Sequence, residues 1–240
     1  MKKILKKIAR QLPFALTKNI RYDQLTEEVI KQVCQADTNC IDVGCHKGEI
    51  LDMMMKAAPQ GLHYGFEPIP ELYGFLKEKY KKTPCTISDI ALSDKTGIIS
   101  FNYVLSNPSY SGIKKRSYDR ANEEDMSIDV RTEKLDDVLP ENYKTGLMKI
   151  DVEGAELLVL KGAKKTIARC KPVIIFEFGL GASDVYDTQP KDLMAFFEEH
   201  HYRISLLDNW LKDKSYFNLK DLEEQYFNRV NHYFIAWAAS

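Results

Sequence analysis

The sequence lacks long apolar runs and an excess of either charge. Its 34 Lys and Arg residues balance 35 Asp and Glu residues, which leaves a net charge of −1. This balance provides no general attraction to nucleic acid, so we expect no nucleic-acid partner. No stretch approaches the roughly 20 apolar residues that span a bilayer. The lysine-rich N-terminus also lacks the apolar core and cleavage site of a signal peptide. We therefore expect a cytoplasmic protein.

Disulfide and metal motifs are also absent. The five cysteines are odd in number and include no CxxC pair, which predicts free thiols in a reducing compartment. None of the five histidines has the HExxH spacing of a zinc site. No repeat, low-complexity segment or Pro/Gly/Ser-rich linker divides the 240 residues.

Strand and helix patterns alternate along most of the chain. The first four segments of this alternation read TNCIDVG, KGEILDMMMKAA, LHYGFE and IPELYGFLKEKYKK. Such alternation predicts an α/β fold, a doubly wound and mainly parallel sheet. The late segments YRISLLD and HYFIAWAA are expected to supply an antiparallel edge strand. We also expect CTISDIALSD to form a hairpin with KTGIISFNYV, and GAELLVLKGAKKTIARC to form one helix.

An N-terminal helical arm is expected over residues 1–36, before a domain of residues 37–240. Apolar residues recur at helical spacing among lysines in its first part, at Ile4, Leu5, Ile8 and Leu12. This amphipathic pattern has two interpretations. The helix lies on the domain, or it makes a weak membrane-surface contact.

The first strand-to-helix turn reads IDVGCHKGE. Gly44 and Gly48 have GxxxG spacing, which differs from the GxGxxG of a dinucleotide site, and no GK[ST] follows. Asp42 before the turn would repel a phosphate and would suit an ammonium group. Glu67 ends the next strand, where a carboxylate commonly accepts ribose hydroxyls. An ammonium, a ribose and no phosphate describe S-adenosylmethionine (SAM). The alternative is that both carboxylates only cap adjacent helices.

A second group of carboxylates follows the segment LMKIDVEGAELLVLKGA. Asp151 and Glu153 end a predicted strand, and Glu177 ends the next one. Crowded carboxylates raise one another's pKa, which suits a general base. Asp151, Glu153 and Glu177 are therefore catalytic candidates, as a general base or as Mg²⁺ ligands. A third interpretation is that Glu153 and Glu156 only favour the positive N-terminus of the helix. For Glu156, in the first helical turn, we expect the helix role.

The polar stretch SNPSYSGIKKRSYDRANEED, residues 106–125, is long for a loop in a compact domain. It is either a solvated surface loop or a lid over the substrate. In a lid, the basic run from Lys114 to Arg116 would hold an anionic group. Ser111 and Gly112 are the predicted substrate contacts.

Four segments resemble the FkbM family of class I SAM-dependent methyltransferases, over roughly Asn39 to Gly179. These are IDVGCHKGE, GFEPIPELYGFLKE, SDIALSDKTGIISF and LMKIDVEGAELLVLKGA. The resemblance implies a Rossmann-like class I methyltransferase fold, SAM as cofactor, and O-methylation of hydroxyls. It also implies residue roles: Asp42, Gly44 and Gly48 at the methionyl end, Glu67 at the ribose, Asp89 and Ile90 at the adenine, and Asp151 near the transferred methyl.

The sequence thus predicts a SAM-dependent O-methyltransferase. Its expected acceptor is a hydroxyl of a sugar, a glycan, a lipid-linked sugar or a secondary metabolite. Two other functions stay open at this point. One is an NAD-type oxidoreductase on a similar sheet, which the GxxxG spacing disfavours. The other is a non-catalytic, methyltransferase-like interaction module, which the intact cofactor residues Asp42, Gly44, Gly48 and Glu67 disfavour.

Overall fold

The computed structural model describes residues 18–116 and 123–239. The strands are β1 (Asn39–Val43), β2 (His63–Phe66), β3 (Cys85–Ser88), β4 (Ala91–Leu92), β5 (Gly97–Val104), β6 (Asp125–Glu133), β7 (Thr145–Ile150), β8 (Val173–Glu177), β9 (Tyr202–Ser205) and β10 (Tyr233–Ala238). The helices are α1 (Lys18–Val33), α2 (Glu49–Ala57), α3 (Pro70–Tyr80), α4 (Leu135–Val138), α5 (Glu156–Lys161), α6 (Lys164–Cys170), α7 (Pro190–Glu199), α8 (Leu207–Lys212) and α9 (Leu219–Phe227). Short 3₁₀ turns cover Pro108–Tyr110 and Ser183–Tyr186.

Seven strands form the main sheet in the order β3-β2-β1-β7-β8-β10-β9. All neighbours pair in parallel except β10, which is antiparallel to both β8 and β9. The doubly wound, mainly parallel fold is therefore confirmed, with the antiparallel strand one position inside the edge strand β9. The strand order reverses between β1 and β7. Ligands of open α/β sheets bind at such a switch point, beyond the carboxyl ends of the strands.

The central strands are buried on both faces, which explains their continuous apolar runs. Along β7, Leu147 and Met148 pack into different hydrophobic clusters. Ile174 and Ile175 of β8 divide in the same way. Successive side chains of a strand point to opposite faces, so each face has its own helical layer. Helix α1 belongs to one of these layers, packing on the sheet through residues that include Val29. The boundary at residue 36 stays a prediction.

Three predicted elements differ from the structure. Strand β5 pairs along its whole length with β6, not with the segment before it. CTISDIALSD divides between β3 of the main sheet and β4 of a small sheet with the order β4-β6-β5. The expected single helix breaks into α5 and α6 around Gly162, where an added Cβ would lie 2.1 Å from the carbonyl oxygen of Ser93. This close backbone approach requires a glycine, and glycine weakens the helix.

Two short helices, α8 and α9, were not predicted from the sequence pattern. Within residues 18–116 and 123–239, no helix is long and apolar enough to cross a membrane. The amphipathic pattern from Ile4 to Leu12 lies outside the described residues, so the membrane-surface contact stays a prediction.

Candidate active site

A cavity of about 230 Å³ lies at the switch point of the sheet. Its walls come from the turn after β1, the end of β2, the segment after β7, residues 108–113 and α1. The side chains and backbone used below are Asp23, Thr26, Asp42, Gly44, His46, Phe66, Glu67, Ile69, Ile90, Ser109, Ser111, Ile113, Lys149, Asp151, Glu153 and Tyr233. The structure therefore brings most of the predicted site residues to one place.

The two glycines of the first turn have left-handed backbones, with φ of 75° at Gly44 and 72° at Gly48. A Cβ on Gly44 would lie 1.9 Å from the carbonyl oxygen of Asp151, and one on Gly48 would lie 2.2 Å from the hydroxyl of Tyr80. Gly44 lines the cavity. Both glycines are thus required by the packing of the protein itself, which lets the turn lie tightly against β7.

Asp42 is 1% exposed at the floor of the cavity. Among the described residues, neither of its oxygens has a partner at full hydrogen-bond distance, although the Lys149 ammonium and the Leu51 backbone N–H stabilise its charge. Its cationic partner is the Nζ of Lys149, 3.6 Å from Oδ1. Burial raises the pKa of Asp42, and the Lys149 ammonium is the strongest influence that opposes the shift. A buried carboxylate without close hydrogen bonds is suited to a donor from a ligand.

Glu67 directly follows β2 and is 4% exposed. Its Oε2 accepts the backbone N–H of His46 at 2.8 Å, and its Oε1 accepts that of Ile69 at 3.1 Å. These two bonds aim the carboxyl group at the cavity and leave lone pairs for further donors. Burial raises the pKa of Glu67 to about 7, although the two backbone bonds oppose the shift.

The two residues predicted at the adenine separate in the structure. Ile90 is buried and lines the cavity. The Asp89 side chain is 55% exposed, and its Oδ1 lies 3.8 Å from Nη2 of Arg131. Among the described residues, Asp89 is not part of the cavity wall, so its contact with adenine stays a prediction.

Asp151, directly after β7, is the centre of a polar network. Its Oδ2 accepts the hydroxyl of Tyr233 and lies 3.2 Å from Nζ of Lys149. The carboxyl group of Glu177 lies beside it, with an oxygen within 4.8 Å of one on Asp151, and stabilises its charge. Burial disfavours the charge on Asp151, but these three neighbours outweigh it and lower the pKa to about 2. Asp151 is thus a charged anchor and too weak a base for proton abstraction near neutral pH.

Glu153 stands on a strained turn beside this network. Its φ of 58° is left-handed, which is unusual for a glutamate. Its Oε2 lies 2.5 Å from Nη2 of Arg116. Burial and the charge of Asp151 raise the pKa of Glu153 to about 8, while Arg116 opposes the shift. Two neighbouring carboxylates therefore have pKa values that differ widely, as in enzymes that divide acid and base roles.

Glu156 has a different role from the one expected. It begins α5 but is 1% exposed. Its Oε1 accepts the backbone N–H groups of Val152 at 3.0 Å and Gly154 at 3.2 Å. The side chain therefore holds both sides of the turn that carries Glu153. Burial raises its pKa to about 7. The helix N-terminus alone does not explain this residue.

Asp151, Glu153 and Glu177 each place an oxygen within 4.8 Å of the others, close enough for a shared cation. Lys149, Tyr233 and Arg116 already occupy the first two carboxylates. Burial and the neighbouring charges of Asp151 and Glu153 raise the pKa of Glu177 well above its usual range, which favours its protonated form. We assign no metal ligands here, and Mg²⁺ binding by these three carboxylates stays a prediction.

The segment of residues 106–116 packs over the cavity. Ser111 lines the cavity, and its Oγ accepts the backbone N–H of Val104 at 3.0 Å. Gly112 makes two backbone hydrogen bonds with Asn102, and a Cβ on it would lie 3.5 Å from Cβ of Glu153. The described part of this segment therefore covers the site as a lid would, although residues 117–122 lie outside the described ranges.

The basic run of this segment is paired within the protein. Nζ of Lys114 donates to the carbonyl oxygen of Val185 at 3.0 Å. Nζ of Lys115 lies 2.6 Å from Oδ2 of Asp125. Arg116 pairs with Glu153, so all three cations have anionic or carbonyl partners. Binding of an anionic substrate group by this run stays a prediction.

Sequence reasoning missed Lys149, Tyr233 and the cavity-lining residues Asp23 and Thr26 of α1. Lys149 could have been predicted, because a lysine inside the apolar run LMKI is buried and needs an anionic partner. Tyr233 could not have been predicted, since its approach to Asp151 depends on the insertion of β10 beside β8. In that pairing Tyr233 lies directly opposite Glu177.

The site fits SAM by the chemistry of its side chains. Asp42 offers a buried carboxylate without a close hydrogen-bond donor, as an ammonium group needs. Glu67 offers acceptor positions for ribose hydroxyls. The buried side chains of Phe66, Ile69 and Ile90 supply apolar wall for a flat ring.

Comparison with known proteins identifies relatives of one kind. Residues 42–204, more than half of the chain, match the methyltransferase FkbM domain. The methyltransferase sdnD of Sordaria araneosa is 29% identical over 152 residues, which cover 51% of this chain and 59% of that protein.

Solved structures show the same fold. A methyltransferase FkbM from Methylobacillus flagellatus superposes with a TM-score of 0.51 at 14% identity. The superposition covers 98% of this chain and 59% of that one. This chain thus spans about three fifths of the length of both relatives.

Proposed function

The chain belongs to the FkbM methyltransferase family, and we propose that it is a SAM-dependent O-methyltransferase that modifies a hydroxyl group. The observation that carries the proposal is the position of Glu153. This carboxylate lines the cofactor cavity from a strained turn, and its pKa is raised to about 8. A general base works best when its pKa is near the working pH, and a hydroxyl acceptor needs such a base.

The proposed reaction moves one methyl group between two heteroatoms. When bound, SAM would supply an electrophilic methyl carbon on a sulfonium sulfur. Transfer would form a C–O bond with the acceptor, break the C–S bond with its electrons passing to sulfur, and leave S-adenosylhomocysteine (SAH). The hydroxyl proton passes to the carboxylate of Glu153. Because the displacement is in line, the main tasks of the protein are alignment and exclusion of water.

The residues around Glu153 support this division of tasks. Asp42 and Glu67 would hold the ammonium and ribose of the cofactor. Asp151 stays ionised beside the reacting groups, and its low pKa excludes it as the base. The segment that bears Ser111 covers the acceptor side and excludes water. Arg116 contacts the carboxyl group of Glu153 and lowers its pKa, which favours the charged form that acts as the base.

For the acceptor we propose a hydroxyl of a sugar, a glycan, a lipid-linked sugar or a secondary metabolite. The acceptor wall supports an amphipathic molecule, since it combines the hydroxyls of Ser109 and Ser111 with apolar Ile113 and Pro108. We place the protein in the cytoplasm, where SAM is made available to such enzymes. A metal is not required by this proposal.

Calorimetry with SAM and SAH tests the cofactor, and transfer of labelled methyl to a panel of sugar and polyketide hydroxyls tests the reaction. We expect micromolar SAH binding and transfer that EDTA does not suppress. No binding of SAM or SAH at tens of micromolar protein would overturn the enzyme proposal. NADH fluorescence enhancement that SAM does not compete away would favour the oxidoreductase instead. Transfer to amines but not to hydroxyls would retain the methyltransferase and refute O-methylation.

A further inference from the structure

We propose that Lys149 is a positioning residue that couples the two halves of the site, an inference that rests on the proposed SAM-dependent reaction. One buried ammonium group keeps both Asp42 and Asp151 ionised and directed at the cavity. Neither the family match nor the predicted site residues assign a role to Lys149.

The register of the sheet brings the three side chains together. Asp42 of β1 lies directly opposite Lys149 of β7, so both side chains project from the same face. Asp151 follows Lys149 by two residues and returns to that face. Lys149 is 4% exposed and lines the cavity. A lysine at this position cannot reach bulk solvent and takes its partners from the site.

The contacts of the ammonium group join the cofactor side to the reacting side. Nζ lies 3.2 Å from Oδ2 of Asp151 and 3.6 Å from Oδ1 of Asp42. It also donates to the carbonyl oxygen of Gly44 at 3.3 Å. One cation therefore touches the residue before the glycine turn, the turn itself and the residue after β7.

The charges explain why this contact matters. Burial alone would protonate Asp42, which would then lose its attraction for an ammonium group. Burial also disfavours the Lys149 ammonium, but Asp151 and Asp42 outweigh it and raise the pKa of Lys149. Each charge thus depends on the others. Removal of the Lys149 cation would leave two buried carboxylates without a counter-charge, which would raise their pKa values and favour protonation.

Other ionisable groups surround this triad and set the background against which it titrates. They are Cys45 and His46 of the first turn, Glu67 of β2, Glu153 after β7, Glu177 of β8 and Tyr233 of β10. Glu67 and Glu153 titrate near neutral pH in the wild type as well. The SAH dissociation constant of each Lys149 variant must therefore be divided by the wild-type value at the same pH.

The test measures the dissociation constant of SAH by calorimetry from pH 6 to pH 8.5 in wild type, Lys149→Met and Lys149→Arg. Lys82→Met, which removes one exposed lysine from a turn, is the matched control. For Lys149→Met we expect a loss of affinity that is roughly tenfold larger at pH 6 than at pH 8.5, because Asp42 and Asp151 ionise only at higher pH. Lys149→Arg keeps the charge, so the ratio of its SAH dissociation constant to that of wild type should not vary with pH.

The outcomes separate positioning from a structural role. An equal loss of affinity at every pH in Lys149→Met would overturn the inference, as would a pH-dependent loss in Lys149→Arg. If Lys149→Met does not fold, Lys149→Gln is measured in its place. A loss of SAH affinity that is larger at pH 6 supports the inference, and an equal loss at every pH overturns it. Failure of both neutral variants to fold would make Lys149 a folding residue and would also overturn the inference. Wild type that does not bind SAH refutes the proposed function itself, which is a separate result.

Discussion

The two ends of the cavity are built in different ways. The cofactor end, from Asp42 to Glu67, occupies 26 successive positions of the chain, and backbone N–H groups hold its acidic side chain Glu67. The opposite end combines Arg116, Glu153, Glu177 and Tyr233, which are far apart in the sequence, and holds them by charged side chains. The first end depends on local backbone geometry and on one distant cation, Lys149, beside Asp42. The second depends on the whole sheet and on the protonation of several acids.

This difference predicts which end of the cavity responds to a change of pH. At the carboxylate end, the pKa values are about 2 for Asp151 and about 8 for Glu153, so neutral pH lies between them. At the cofactor end, Glu67 has backbone donors that keep its pKa at about 7 despite burial. Substitutions that preserve shape and remove charge should therefore separate turnover from cofactor binding.

The largest expected effect comes from Glu153→Gln. The amide keeps the shape of the side chain but cannot accept the hydroxyl proton, so kcat should fall roughly 10²- to 10⁴-fold. SAH affinity should stay within about twofold of wild type, because Glu153 is not among the contacts that hold Asp42 and Glu67. Methyl-transfer kinetics and calorimetry check the two values, with the exposed Glu141→Gln as control. Equal losses in both would make Glu153 a cofactor or structural residue.

Asp42→Asn should give the opposite pattern. Loss of the buried charge removes the partner of the cofactor ammonium, so we expect KM for SAM to rise at least about tenfold. At saturating SAM, kcat should remain within about threefold of wild type. Asp37→Asn, at an exposed position two residues before β1 begins, is the matched control. A large fall in kcat with unchanged KM would place Asp42 in the chemical step and remove the contrast between the two ends.

The pH dependence of turnover sharpens the contrast further. The base must be deprotonated, so kcat should rise up to tenfold per pH unit below about pH 8 and level off above it. Arg116 lowers the pKa of Glu153, so Arg116→Met should move the midpoint to higher pH. Initial rates at saturating SAM from pH 6 to pH 10 measure both. An unchanged midpoint in Arg116→Met would show that another group controls the rate.

The smallest effect is on stability and concerns Glu156. Its pKa is about 7 in the folded protein, above the usual value for glutamate, so folding favours the protonated form. The stabilisation is present below about pH 4.5 and is lost as pH rises toward 7. Glu156→Gln should remove this loss and be more stable than wild type at pH 8 by roughly 1–3 kcal/mol.

Denaturant titrations at pH 5 and pH 8 measure this difference, with Glu141→Gln as the control at an exposed position. At pH 5 the glutamine variant and wild type should be similar, since Gln resembles protonated Glu and keeps the acceptor for Val152 and Gly154. A variant less stable than wild type at both pH values would contradict the assigned protonation.

Much of the cofactor end could be predicted because its signals are local. Asp42, Gly44, Gly48 and Glu67 lie at strand ends and turns that hydrophobic pattern and glycine spacing already mark. Asp89 shows the limit of that method. It follows β3 directly, as the pattern suggests, yet its side chain points to Arg131 and solvent. A position at the end of a strand does not determine where a side chain points if, as after β3, the next strand belongs to a different sheet.

The sequence by itself determined the doubly wound sheet, the site at its switch point and the group of carboxylates after β7, because these follow from periodicity and from the edge at which parallel strands end. Only the tertiary structure decided which carboxylate is charged. Lys149 pairs with Asp42 through strand register, Tyr233 reaches Asp151 through β10, and Arg116 reaches Glu153 from a distant segment. The pKa of a buried acid depends on its burial and on the charges near it, and both are properties of the folded chain.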